Sequence, residues 1–104
     1  MENKRVVVTG IGVLSSVGLG IDEFWEGIVA GRSGIKRVTR ILEHRQSKCK
    51  IAGEITDFDP LKYGVDAKQM KRMDRFIQFA VAASNMAVED AKLDMSKEDP
   101  TRVG

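Results

Sequence analysis

The stretch from Asp74 to about Lys92 constrains this chain more than any other. Phe76, Ile77, Phe79, Val81, Ala82, Met86, Ala87, Val88 and Ala91 run round most of a helix, leaving Asp74, Gln78, Asn85 and Glu89 as a narrow polar strip. A helix apolar on most of its circumference has to be enclosed by other elements. The chain offers few. Val6-Val7-Val8 reads as a short strand buried on both faces of a layered α/β sheet. Ile51 to Thr56 reads as a second strand, closed by the turn chemistry of Asp57-Phe58-Asp59-Pro60. Ile21, Phe24, Trp25, Ile28 and Val29 share one face of a helix with Asp22 and Glu23 in its first turn and Gly31 past its end. A short helix is expected from Asp66 to Met73, and residues 32–50 read as basic and irregular. Thr101-Arg102-Val103-Gly104 looks like the opening of a further strand, where a domain boundary would normally be a polar linker. The expectation is an α/β fragment whose covering layers belong to a longer chain.

Composition excludes several classes of function. With 104 residues, 42% hydrophobic and 31% charged, the chain has room for one domain of ordinary soluble character. A net charge of +2 argues against a coat for nucleic acid. No apolar run approaches the roughly 20 residues of a spanning helix, and the charged start is too short of apolar residues for a signal peptide. A soluble, cytoplasmic protein is expected. The single cysteine, Cys49, excludes an internal disulfide, and with one histidine, His44, it excludes an ordinary zinc site of His and Cys alone. No metal or cofactor is expected.

Three motifs carry possible chemistry. Val6-Val7-Val8-Thr9-Gly10-Ile11-Gly12 is a strand running into glycines, as in dinucleotide-binding folds. That site needs a third glycine where Ser15 stands, or one at Leu14 in a variant spacing, and an acid where Ala30-Gly31 stand. Nucleotide binding is therefore not expected. Cys49 lies between Lys48 and Lys50, which would favour a thiolate, but its only possible base, His44, lies in an irregular segment. An incidental thiol is the simpler reading, and Asp57 and Asp59 read as turn formers. Finally, Lys68, Lys71, Arg72 and Arg75 recur at helical spacing and would line one side of one helix. Such a face is either a solvated surface, which the pattern alone favours, or a docking patch for an acidic partner. No complete catalytic constellation assembles.

Read together, several segments resemble the opening of the condensing enzymes, the β-ketoacyl-acyl-carrier-protein synthases. They are Arg5-Val6-Val7-Val8-Thr9-Gly10-Ile11-Gly12, Ser15-Ser16-Val17-Gly18, Ala30-Gly31-Arg32-Ser33-Gly34-Ile35, Lys50-Ile51-Ala52-Gly53-Glu54-Ile55 and Lys71-Arg72-Met73-Asp74-Arg75-Phe76-Ile77-Gln78. Within that family the chain looks most like the elongation synthases of bacterial fatty-acid synthesis. Ser16 stands where the family commonly has proline, and residues 41–49 depart from its pattern.

The resemblance implies a thiolase-like layered α/β fold, of which residues 1–104 would be the first part of the N-terminal half, and a homodimeric parent. It implies an acyltransferase that condenses acyl and malonyl groups on acyl carrier protein, using a cysteine and two histidines that lie downstream in the family. Cys49 and His44 do not match them, so no catalytic residue is assigned and the 104 residues alone are expected to be inactive. In the family, basic residues at the positions of Lys68, Lys71 and Arg72 contact the acidic helix of the carrier protein, which moves the basic face towards a docking patch. Two rival readings are a polyketide ketosynthase or its non-catalytic chain-length partner, and a free-standing module that docks a carrier protein.

Overall fold

The structure, a computed structural model, describes residues 2–40 and 48–104. Five regular elements appear in chain order: α1 (Ile21–Val29), β1 (Ile35–Arg37), β2 (Ile51–Gly53), α2 (Ala67–Met70) and α3 (Arg75–Asp90), with single 3-10 turns at Pro60–Tyr63 and Pro100–Arg102. The long helix expected from Asp74 to about Lys92 is α3. It starts one residue later because Asp74 is its extended N-cap, with φ −65° and ψ 158°. It stops because Lys92 turns left-handed at φ 53°. The Lys92 amide then donates to the Glu89 carbonyl at 3.0 Å and the Leu93 amide to the Val88 carbonyl at 3.1 Å, the paired bonds of a Schellman ending.

The glycines after the valine run are explained by α3. A Cβ on Gly12 would collide with the Ala83 carbonyl and the Ala87 amide, and one on Gly10 would collide with Ala87 and Ala91. Ala83, Ala87 and Ala91 follow one another at four-residue intervals, so the smallest ridge of α3 meets the segment without side chains, and backbone lies on backbone. The Ile11 amide fixes the crossing by donating to the Asp90 carboxylate at 2.9 Å. These glycines serve helix packing.

The strand expected at Val6–Val8 does not form. Those residues leave Val6 93% and Val8 81% exposed, and they form no ladder with any described strand. β-branched residues favour extended backbone, but a strand exists only when a neighbour completes its ladder.

α1 forms where expected. Glu23 folds back from its first turn to accept the Leu19 amide at 2.9 Å, and Gly31, at φ 69°, follows its end. Its apolar face is open: Trp25 is 63% exposed and Gly27 is the buried residue of the helix. The stretch after it, read as irregular, contains β1. This strand pairs antiparallel with β2 in the register Ile35 to Gly53, Lys36 to Ala52 and Arg37 to Ile51. β2 ends at Gly53, short of the expected Thr56, because Glu54 turns its carboxylate across the hairpin. The Thr39 amide (3.0 Å), the Thr39 hydroxyl (2.8 Å) and the Arg40 amide (2.9 Å) all donate to it.

Beyond the hairpin, residues 57–73 form an arm laid along α3. Asp59 caps the turn Pro60–Tyr63 by accepting the Leu61 amide, as expected of a turn former. Asp66 caps α2 through the Lys68 amide. α2 is shorter than the expected Asp66–Met73, since the amides of Arg72 and Met73 bond three residues back, to Gln69 and Met70, and tighten the chain into a turn. The core lies between arm and helix: Phe58, Val65 and Ala82 are buried, with Leu14, Ile55, Tyr63, Met70, Met73, Phe79 and Val81 around them. Phe58 stacks on Tyr63 at 5.7 Å between ring centroids and meets Phe79 at 4.9 Å. The expected strand opening at Thr101–Gly104 is instead a 3-10 turn over Pro100–Arg102, capped by Asp99, with extended backbone resuming only at Val103. The local cap overrides the strand propensity of Thr101.

Packing of the described residues is loose. The accessible surface is 9045 Å², whereas a compact chain of this mass would expose about 5,800 Å². The radius of gyration is 17.5 Å, against about 13 Å for a compact domain of this length. Phe76 is 69% exposed on α3 itself. The apolar helix is half enclosed.

Replacing Gly12 with alanine in the complete protein should destabilise it by about 1–3 kcal/mol, because neither colliding backbone group can retreat without bending α3. Chemical unfolding measures this, and an unchanged midpoint would contradict the close crossing. Hydrogen bonds from Thr39, its amide first, hold the Glu54 carboxyl below the ordinary glutamate value of 4.5. A depressed carboxylate stabilises the fold above its unfolded value, and that contribution fades as pH falls through the folded one. The amide proton resonances of Thr39 and Arg40 should therefore titrate below pH 4.5 and stop doing so in Glu54→Gln.

Candidate functional site

Of the four basic residues expected on one helix face, three remain together at the surface. Lys68 lies on α2, Lys71 is its C-cap and Arg72 follows in the turn. All three are exposed, and none makes a side-chain hydrogen bond or ion pair among the described residues. Three cations thus project within five residues from a single turn of helix. Their backbone is fixed from below: Met70 and Met73, which alternate with them, are half-buried against the core.

Arg75 does not belong with them. The Asp74 N-cap breaks the helix that the spacing assumed, and Arg75 begins α3 facing inward. Its guanidinium carbon lies 5.0 Å from the Phe79 ring centroid and 5.9 Å from that of Phe58, and it donates to the Ile55 carbonyl. Partial burial among these groups presses its pKa below the usual arginine value, Arg40 adding to the effect and Glu54 opposing it. This cation joins the hairpin to the helix, a role that helical periodicity could not reveal.

The other candidates stay apart. Cys49 is exposed, and its thiol donates to the Ile51 carbonyl at 3.2 Å. His44 lies outside the described residues. Asp57 accepts the Thr56 hydroxyl at 3.4 Å, beside the Asp59 cap. A cleft of about 340 Å³ opens between the Ser15–Leu19 loop and the hairpin, lined by Arg32, Lys36 and Arg37 together with Glu23 and Glu54. Arg32 donates there to the carbonyls of Val17 (3.1 Å) and Glu23 (3.4 Å), so it ties the loop to α1. A second hollow, about 420 Å³, is apolar and lies between Ile11, Val13, Ile21, Phe24 and Trp25. No described helix is long and apolar enough to cross a membrane. The sequence missed Gln78 as a participant: its amide donates to the Met70 and Met73 carbonyls, beneath the cationic turn. Its place in the polar strip of α3 was the available signal.

Comparison with known proteins agrees along the whole length. The family model for the beta-ketoacyl synthase N-terminal domain matches residues 3–104. The chain is 42% identical over 104 residues to 3-oxoacyl-[acyl-carrier-protein] synthase 2 of Synechocystis, covering 100% of this chain and 24% of the relative. It is 42% identical over 102 residues to a Streptomyces halstedii protein named as a polyketide beta-ketoacyl synthase, covering 98% of this chain and 24% of that one. It is 41% identical over 103 residues to the 3-oxoacyl-[acyl-carrier-protein] synthase 2 of Staphylococcus aureus strain COL, covering 99% and 24%. Among solved structures, the ishigamide ketosynthase/chain length factor superposes with a TM-score of 0.72 at 40% identity, over 86% of this chain and 22% of that one. The chain spans about a quarter of the length of these curated relatives. Matched by the family model from residue 3 to residue 104, the chain belongs to the β-ketoacyl synthase family, within its N-terminal domain.

Proposed function

We propose that the protein to which these residues belong is a 3-oxoacyl-[acyl-carrier-protein] synthase, a cytoplasmic, homodimeric acyltransferase of fatty-acid synthesis. The observation that carries this reading is end-to-end identity of 42% with a protein of that name, without a break in coverage. In such an enzyme a cysteine thiolate takes the acyl chain. A malonyl thioester then loses carbon dioxide beside two histidines. The resulting carbanion attacks the acyl thioester, whose oxyanion is held by backbone amides. None of those reacting groups is assigned to residues 1–104. In this reading these residues are the first part of a layered, thiolase-like N-terminal half, and the open faces of Val6–Val8, α1 and Phe76 are covered by the layers that follow.

The segment's own contribution to activity is recognition. Lys68, Lys71 and Arg72 form the landing surface for the acidic face of the acyl carrier protein, which delivers both substrates. Three exposed cations with no partner among the described residues suit an acidic protein met by diffusion, because such charges raise the rate of productive encounter more than the final affinity. A polyketide ketosynthase, or the chain-length partner of one, is the second reading. The Streptomyces relative and the ishigamide ketosynthase/chain length factor favour it. It requires the same carrier surface, and the residue at the nucleophile position of the complete protein separates a catalytic subunit from a chain-length partner.

Reversing Lys68, Lys71 and Arg72 to glutamate in the complete enzyme should weaken carrier-protein binding at least tenfold at low ionic strength. The deficit should narrow as salt rises, since exposed charges are screened beyond about 8 Å at physiological ionic strength. Binding measured across a salt series tests this, and unchanged affinity at low salt would return the patch to a solvated surface.

A further inference from the structure

The polar strip of α3 grips the arm that carries the cationic turn. Gln78 and Asn85 are separated by about two turns of helix. The Gln78 amide nitrogen lies 3.3 Å from the Met70 carbonyl and 3.3 Å from the Met73 carbonyl and donates to both. The Asn85 amide nitrogen donates to the Tyr63 carbonyl at 2.8 Å. The next residue, Gly64, is left-handed at φ 77°, and a Cβ there would meet the Asn85 amide nitrogen at 2.9 Å, so chain and clamp fit without space between them. One amide therefore holds the start of residues 63–73 and the other holds the end. Lys68, Lys71 and Arg72 lie between the two grips.

This arrangement is needed because α2 has four residues. Isolated helices below about 12–15 residues are marginal in water, so α2 cannot maintain its own geometry. Its first turn is secured by the Asp66 cap. Its last carbonyls bond only within the turn, Gln69 accepting the Arg72 amide and Met70 the Met73 amide, so nothing local ties that end to the rest of the chain. Gln78 supplies that tie from α3, donating to the carbonyls of Met70 and Met73, the two residues that bracket Lys71 and Arg72. An apolar side chain of the same size at position 78 would still fill the space, but it would leave Met70 with only its local bond from the Met73 amide and remove the one link that ties both carbonyls to α3.

We infer that Gln78 and Asn85 are positioning residues for carrier recognition: they set the direction from which Lys68, Lys71 and Arg72 project and do not themselves meet the carrier. This rests on the docking surface proposed above. Loosening the turn keeps all three charges, so long-range attraction survives, while the ordering cost on binding rises. The signature differs from that of charge reversal. Affinity falls, but its dependence on salt stays parallel to that of the unaltered enzyme.

The test uses the complete enzyme with Gln78→Met and Gln78→Leu, both of which preserve approximate size and remove the donor without adding a charge. The Michaelis constant for acyl-carrier-protein substrate should rise about three- to tenfold, as expected for losing one or two part-buried hydrogen bonds. kcat should hold, as should the Michaelis constant for a small thioester too short to reach the carrier surface. Asn85→Ala should act in the same direction. An unchanged constant for the carrier substrate, or an equal loss with the small thioester, would overturn the inference. So would failure of both Gln78 variants to fold, since the residue would then hold the fold and not the surface. The triple charge reversal separates the two proposals. If it weakens carrier binding while Gln78→Met does not, only the positioning role fails; if it has no effect, the docking surface fails and the clamp loses its purpose.

Discussion

The alanines of α3 decide how near anything else can come. Ala83, Ala87 and Ala91 allow the Gly10–Gly12 backbone to lie directly on the helix, and Ala82 is wholly buried under the core residues on another side. Larger side chains at those positions would hold the neighbouring segments several ångströms away and open voids that a close-packed interior does not tolerate. The rings of Phe58, Tyr63 and Phe79 fill the wider gap where no alanine ridge is available. Arg75 then bridges the same helix to the Ile55 carbonyl, so hairpin, arm and N-terminal segment are all placed from one element.

Such dependence on one helix explains the uneven burial. Apolar surface contributes roughly 25 cal/mol per Å² only when it leaves water. Here the valine run, Trp25 and Phe76 stay largely exposed while Phe58 and Val65 are buried. An apolar face left open is a marker of interaction surface in a folded protein. Relatives about four times as long supply the scale of what could cover it.

Legibility followed the range of the interaction involved. α1 and α3 repeat their apolar residues at helical spacing, and the aspartate caps act within two or three residues, so both could be read locally. β1 could not: Ile35, Lys36 and Arg37 carry no alternation, and their strand exists through pairing with residues about sixteen positions away. The Gly10–Gly12 pattern could be separated from a nucleotide site by its missing third glycine, but its true partner lies more than 70 residues on. Arg75 joined the basic face on paper because helical spacing was carried through Asp74, which caps a new helix. For the candidate site, the three cations were legible as residue types, whereas the Gln78 and Asn85 grips span five to twenty-two residues and leave no periodic trace.

That division bears on how a docking surface of this kind gains selectivity. Exposed ion pairs are each worth about 0–1 kcal/mol, because water and salt screen them and long side chains lose rotamer freedom when they pair. Three such charges on a mobile loop would attract any acidic protein to much the same degree. Held on a fixed turn, the same charges match only a partner whose carboxylates have the corresponding spacing, and a mismatched partner pays desolvation without compensation. Selectivity would then depend less on the lysines and the arginine than on uncharged groups beneath them. In the proposed docking surface those groups would be the side-chain amides of Gln78 and Asn85, which would give α3 a physical reason to keep them on a mostly apolar circumference.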